Sequence, residues 1–259
     1  MTGSTENGAA EGGATSTQSS SLLRSLLVFV KEIVIVVALA VVLSLILKTW
    51  LVQTFWIPSA SMMSTLVRDD RVLVSKLTPG PFELSRGDIV VFEDPGGWLD
   101  PTVAPPRQDG IGDAINSALT WVGLLPEDEG NHLIKRIIGM PGDQVTCCDP
   151  DGRILVNGQP IEEGYLHPGD TPSDVDFDVT VPPDRLWVLG DHRSDSLDSR
   201  FQDGEGDPDV ARTVPVENVV GRAFAIVWPL NRLAWLGEPA GTFDGVPEAG
   251  QEPSPATTP

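Results

Sequence analysis

The feature that most constrains this chain is an apolar run from Leu26 to Leu47, interrupted only by Lys31, Glu32 and Ser44. A helix over these 22 residues rises about 33 Å, enough to cross a hydrocarbon core of about 30 Å. Lys31, Glu32 and Lys48 stand where they can snorkel to the two interfaces, and Trp50 and Trp56 fit an interfacial belt. A buried core helix would be shorter or more mixed. A cleaved leader would need a small-x-small site close behind the run. Ser59-Ala60-Ser61 has the right residue sizes but begins 12 positions after Leu47. The run therefore reads as a retained single-pass anchor over 26–48. Arg24 and Lys31 precede the span while Lys48, Arg68, Arg71 and Lys76 follow it, so the positive-inside count leaves its orientation open.

The anchor divides the chain. Residues 1–25, rich in Gly, Ser, Thr and Ala, are expected to be a disordered tail, and the Pro-, Gly-, Glu- and Thr-rich residues 237–259 another. Between anchor and second tail, residues 49–236 carry 30 acidic and 14 basic side chains, so most of the net charge of −20 belongs to this region. A surface of that sign does not replace counterions on phosphate, which excludes a nucleic-acid partner. The hydrophobic content of 41% is ordinary for a globular domain.

Within 49–236 the signals are short β-branched runs bounded by Gly, Pro and Asp. They are Arg71–Leu77, Asp88–Phe92, His132–Ile138, Gln144–Thr146, Arg153–Val156, Leu186–Leu189 and Ala223–Val227. This spacing predicts an all-β domain of antiparallel sheets. A loop-rich insertion at 94–131 interrupts it. Residues 113–124 there could form one short amphipathic helix, and Trp98, Trp121, Leu124 and Leu125 could pack on the domain or touch a bilayer. Cys147 and Cys148 are adjacent, which excludes a CxxC motif and leaves a vicinal disulfide, two free thiols or an unusual turn.

Three segments put reactive polar groups beside apolar ones: Ile57–Leu66, Lys135–Asp143 and Gly190–Arg200. Singly, each has a bland reading. Ser59-Ala60-Ser61 could cap a helix, Lys135 could guard a sheet edge, and the third could be an acidic turn. Together, and in this order after a membrane span, they resemble the type I signal peptidases, membrane-anchored proteases with a Ser–Lys dyad. The resemblance rests on Ser59-x-Ser61-Met62, Arg86-Gly87-Asp88-Ile89-Val90-Val91-Phe92, Lys135-Arg136 with Gly139-x-Pro141-Gly142-Asp143, and Gly190-Asp191-x-Arg193 with Ser196-x-Asp198-Ser199-Arg200. Val220-Gly221-Arg222 and Trp228-Pro229 extend it to about Leu230. Ser64 stands where that family usually has proline, and His192, Ser194 and Asp195 replace the commoner Asn, Asp and Asn.

The resemblance implies a signal-peptide-removing endopeptidase. Ser61 would be the nucleophile and Lys135 its general base, with no metal and no cofactor. Ser59 and the Ser61 N–H would form the oxyanion hole, and Ser196 would hydrogen-bond Lys135. Asp191, Asp198 and Arg200 would brace the third segment. Phe55, Ile57, Met62, Leu66, Leu133 and Ile134 would line shallow pockets for small residues of signal peptides of exported preproteins. The partners implied are those peptides and the lipid bilayer, with the amino terminus cytoplasmic and the β domain outside. A Ser-His-Asp hydrolase would need His132, His167 or His192 near Ser61, yet Ser61 lacks the Gly-x-Ser-x-Gly elbow. Scattered histidines without H-E-x-x-H argue against a metalloenzyme. The self-cleaving repressors share the dyad but have a DNA-binding domain and no span. The remaining alternative is a catalytically inactive membrane adaptor of the same fold.

Overall fold

The computed structural model describes residues 16–99, 131–202 and 208–250; the helix expected at 113–124, with Trp121, Leu124 and Leu125, lies outside them. The chain divides into two units, Met1–Ile46 and Leu47–Pro259.

Helix α1 spans Ser16–Trp50 and overruns the expected anchor at both ends. Residues 16–25, expected in the disordered tail, are helical: no Gly or Pro lies between Gly13 and Pro58, and Gln18, Leu22, Leu23 and Arg24 favour a helix. Its segment Leu26–Leu45, of mean hydropathy 2.9, is long and apolar enough to cross a membrane. The large side chains from Leu26 to Leu43 are exposed on every side of the helix. A helix that is apolar all round has no polar face to offer water, unlike the surface helix of a soluble domain.

The second unit is a pair of antiparallel sheets, in agreement with the expected all-β class. Its strands are β1 (Val52–Trp56), β2 (Arg71–Ser75), β3 (Ile89–Glu93), β4 (His132–Gly139), β5 (Gln144–Cys147) and β6 (Ile154–Val156). There follow β7 (Gln159–Pro160), β8 (Phe177–Thr180), β9 (Arg185–Leu189), β10 (Val214–Pro215), β11 (Val219–Trp228) and β12 (Ala234–Trp235). The large sheet has the order β1-β2-β11-β3-β4-β9-β10, with β12 paired to β11; the small one has β7-β6-β5-β8.

Alternation along the strands builds the cores. On β3, Ile89 and Val91 enter one cluster with Phe55, Met62, Val72 and Ile134. Val90 and Phe92, on the other face, enter a second cluster with Leu84, Ile137, Leu186 and Val188. β3 and β4 are thus covered on both faces, and groups carried at their middle are withdrawn from water. Trp98 joins the second cluster, its ring edge-on to Phe92 at 5.7 Å between centroids. A third cluster fills the small sheet with Val145, Ile154, Val156, Val179 and Trp187. Cys147 and Cys148, left open by the sequence, are joined as a disulfide at the end of β5 beside this cluster.

The expected disorder of 237–259 does not extend to 237–250. Phe243 and Val246 pack on the third cluster, and the Pro247 carbonyl accepts from Arg86 and Asn157. Gly87, at φ +88°, lets this segment approach: a Cβ there would lie 2.8 Å from Pro239 Cδ. The composition hid two apolar anchors among loop-forming residues.

Candidate active site

β1 runs through Ile57-Pro58 into a tight turn. The Ile57 N–H donates to Asp70 O and the Asp69 N–H to Ile57 O, each at 2.9 Å. Within the turn the Leu66 N–H donates to Met62 O at 2.8 Å, a single helical turn that aims Met62 and Leu66 into the first cluster. These two side chains, both fully buried, anchor the segment and leave Ser61 at its start. β4 supplies the second group. Its register against β3 sets Lys135 opposite Val90, in the covered middle of the sheet.

The two meet. Lys135 Nζ donates to Ser61 Oγ at 2.6 Å, and both residues are buried. The exposed Ser59 places its Oγ 3.4 Å from Ser61 Oγ. Burial lowers the Lys135 pKa from its ordinary 10.5 to about 8, against the opposing pull of Asp198, Asp191 and Asp195 and with help from Arg200. An amine that can be neutral near pH 8, touching a hydroxyl screened from water, is equipped to take that hydroxyl's proton.

Around this pair lies a frame of buried ions. Arg136, next to Lys135 on β4, donates to both Asp191 oxygens at 2.8 and 2.6 Å and to Gly87 O at 2.8 Å. Asp191 also accepts from the Thr65 hydroxyl, four residues beyond Ser61. The Arg136 guanidinium lies 4.1 Å over the Tyr165 ring. The Tyr165 hydroxyl, kept protonated by burial, donates to Glu163 at 2.7 Å, and Glu163 pairs with Arg193. Arg193 donates to Gly190 O, and the Gly190 N–H donates to Asp198, which holds Arg200 in a fork at 2.8 and 2.9 Å. Gly190 is required here: a Cβ would drive into Ser61 O and the Ser196 hydroxyl.

The sequence-derived residues fall as follows. Ser61, Lys135 and Ser59 come together. Asp191, Asp198 and Arg200 are buried partners in the frame. Phe55, Ile57, Met62, Leu66 and Ile134 share one cluster. Leu133 departs from its expected place beside them: strands alternate faces, so it packs with Phe92 and Val90 in the second cluster while Ile134 faces the first. Ser196 also departs. Its buried hydroxyl has no hydrogen-bond partner and rests against the bare Cα of Gly190. His192 approaches the turn but bonds to main-chain carbonyls, not to Ser61 Oγ. Among the described residues no group of three His, Cys, Asp or Glu side chains is placed to hold a metal ion.

Sequence reading missed Arg136, Thr65, Glu163, Tyr165 and Arg193 as parts of the site. The signal for Arg136 was present, since adjacent strand residues face opposite ways and a second buried cation needs a buried acid. Glu163 and Tyr165 come from a distant loop and carried no local signal.

The chain is similar to known proteins over most of its length. The model of the family described as "Signal peptidase, peptidase S26" matches residues 29–228. A "Probable signal peptidase I" of Mycobacterium leprae is 35% identical over 230 residues, covering 80% of this chain and 78% of the relative. A "Signal peptidase I" of Mycobacterium tuberculosis is 36% identical over 219 residues, covering 78% and 74%. One from Leptolyngbya laminosa is 37% identical over 204 residues, covering 78% and 82%.

Proposed function

Because the chain belongs to the signal peptidase (peptidase S26) family, a family of serine endopeptidases, we propose that it removes N-terminal signal peptides from exported preproteins after small-x-small residues, with Ser61 as nucleophile and Lys135 as general base. The observation that carries this reading is the 2.6 Å contact between Lys135 Nζ and Ser61 Oγ inside a buried site that lowers the lysine pKa.

Neutral Lys135 takes the Ser61 proton as Oγ attacks the scissile carbonyl. The Ser61 N–H and the Ser59 hydroxyl receive the developing oxyanion. The tetrahedral species collapses, Lys135 returns the proton to the departing amine, and the signal peptide stays as an ester on Ser61. A water that gives its proton to Lys135 then hydrolyses the ester, releasing the peptide carboxylate and the free serine. An extended substrate adds a strand beside the turn that follows β1, and the apolar walls Phe55, Ile57, Met62, Leu66 and Ile134 leave room for alanine-sized side chains.

The span Leu26–Leu45 supports a membrane anchor; we infer from the family resemblance that it is a single pass with the amino terminus cytoplasmic and the β domain on the other side. A bilayer contact by that domain is supported by its exposed apolar row. Trp56 and Trp228 both lie opposite Arg71 in register across β1, β2 and β11, and Leu230, Leu233 and Trp235 are exposed nearby in sequence.

The test is cleavage of a preprotein ending in Ala-x-Ala by the full chain in detergent. Wild type cuts with or without EDTA, while Ser61→Ala and Lys135→Ala abolish cutting and retain the fold. An active Lys135→Ala enzyme refutes the dyad, and an inert wild type favours the adaptor.

A further inference from the structure

The backbone around Ser61 is held by a residue to which the reaction just described gives no part. The Ala60 carbonyl accepts from the Met63 N–H at 2.9 Å and lies 3.3 Å from His192 Nδ1. A carbonyl only accepts, so the His192 ring carries its proton on Nδ1 and donates it. One residue further on, the Ser61 carbonyl accepts the His192 N–H at 3.1 Å. His192 therefore grips both peptide units that flank the Ser61 Cα, one through its ring and one through its main chain.

The first grip matters for chemistry. A peptide unit is planar and trans, so its C=O and N–H point in opposite directions and turn together. The Ala60 carbonyl and the Ser61 N–H belong to the same unit. A donor fixed on that carbonyl sets the direction of the N–H and polarises it toward an acceptor on the far side. In the reading proposed above, on which this inference rests, that N–H faces the developing oxyanion.

The ring is itself held in place. His167 stacks on it at 4.0 Å between centroids with a 39° tilt, and the His167 N–H donates to Asp191 O at 3.0 Å, tying the stack to the buried frame. The Asp195 carboxylate lies 4.0 Å from His192 Nδ1, and the Asp195 N–H donates to His192 O at 3.0 Å.

We propose that His192, steadied by His167, is a positioning residue for the oxyanion hole, aiming the Ser61 N–H by binding the carbonyl of the same peptide unit.

Three substitutions test this in the full chain in detergent, with kcat and KM measured on one preprotein and a melting temperature for each variant. His192→Phe keeps an aromatic ring against His167 and the main-chain bond to Ser61 O, and removes the ring nitrogens, the Nδ1 donor among them. Loss of a whole oxyanion donor costs about 10²–10³ in kcat, and loss of a group that aims one is expected to cost about tenfold, with KM unchanged. Asn carries its amide nitrogen at the δ position, where His192 has Nδ1, and recovers most of the loss. Gln carries its amide one atom further out and does not. Should His192→Phe fail to fold, the Asn-against-Gln difference decides alone. A wild-type kcat in His192→Phe, or equal losses in the Asn and Gln variants, overturns the assignment. Ser61→Ala run alongside separates the two failures: if it still cleaves, the dyad reading falls, and if it is dead while His192→Phe is unimpaired, only the role of His192 falls.

Discussion

The Lys135 environment makes a quantitative prediction that links catalysis to folding. Burial lowers its pKa from 10.5 to about 8, and at about 1.4 kcal/mol per pKa unit that is worth about 3 kcal/mol between its two protonation states. Only the neutral amine can act as a base. About a tenth of it is neutral at pH 7 and about a hundredth at pH 6, so log(kcat/KM) should rise with unit slope and level off above about pH 8. An ordinary lysine would keep the rate climbing past pH 10. Stability should follow the same group. The unfolded chain holds this proton up to about 10.5 and the folded chain only to about 8, so between those values the unfolded state binds more protons and stability increases with pH. The destabilising cost is fully present below about pH 8 and gone above about 10.5, a rise of about 3 kcal/mol. Lys135→Met should lose that rise. The assays are initial rates of preprotein cleavage from pH 6 to 10.5 and urea unfolding over the same range for both proteins. A kinetic midpoint near 10, or parallel stability curves for wild type and Lys135→Met, would refute the reasoning.

Three further substitutions, at two positions, probe the backbone around the site. Gly190→Ala forces a methyl against Ser61 O and the Ser196 side chain, whose Cβ would lie 2.7 Å away; the expected cost is about 1–3 kcal/mol, with at least about a tenfold fall in kcat because the backbone of Ser61, the proposed nucleophile, must shift. Thermal melting and cleavage rates check it, and an unaltered kcat contradicts the close approach. Ser64 sits at φ +97°, where an L-residue is strained by about 1–2 kcal/mol. Ser64→Gly should therefore raise the urea midpoint, while Ser64→Pro, locked near φ −65°, should lower stability by about 3 kcal/mol or more. A proline variant as stable as wild type would show that this turn is not held in the left-handed region.

How much of this was legible in the sequence depends on how local each signal is. The runs at 71–77, 88–92 and 132–138 announced β2, β3 and β4 because they are β-branched and bounded by turn residues, and β4 and its neighbours lie within a residue or two of expectation. β1 was missed because Val52–Trp56 follows the apolar run and reads as membrane flank. The two-residue strands β7, β10 and β12 have no period to detect. The insertion of β11 between β2 and β3 is a long-range choice that no window of sequence expresses. In the candidate site, the order of motifs paired Ser61 with Lys135, and their side chains lie within hydrogen-bond distance. Leu133 was grouped with Ile134, whereas the two-residue period of a strand sends the two side chains to different clusters.

The choice of basic side chain ties the frame to the mechanism. Among the described residues four cations are buried in the domain: Lys135, Arg136, Arg193 and Arg200. The three arginines pair with Asp191, Glu163 and Asp198, each inside the fold. Arginine keeps its charge on burial, so each pair is neutral as a unit and the arginine offsets part of its carboxylate's pull on a neighbouring proton. Lysine gives up its proton when desolvated. Asp198 and Asp191 are the two strongest influences opposing Lys135 deprotonation, and each is matched by its own arginine. The frame therefore fixes the turn, the strand end and the 162–175 loop around Ser61 with charge that cancels, and leaves desolvation to decide the protonation of the one buried lysine.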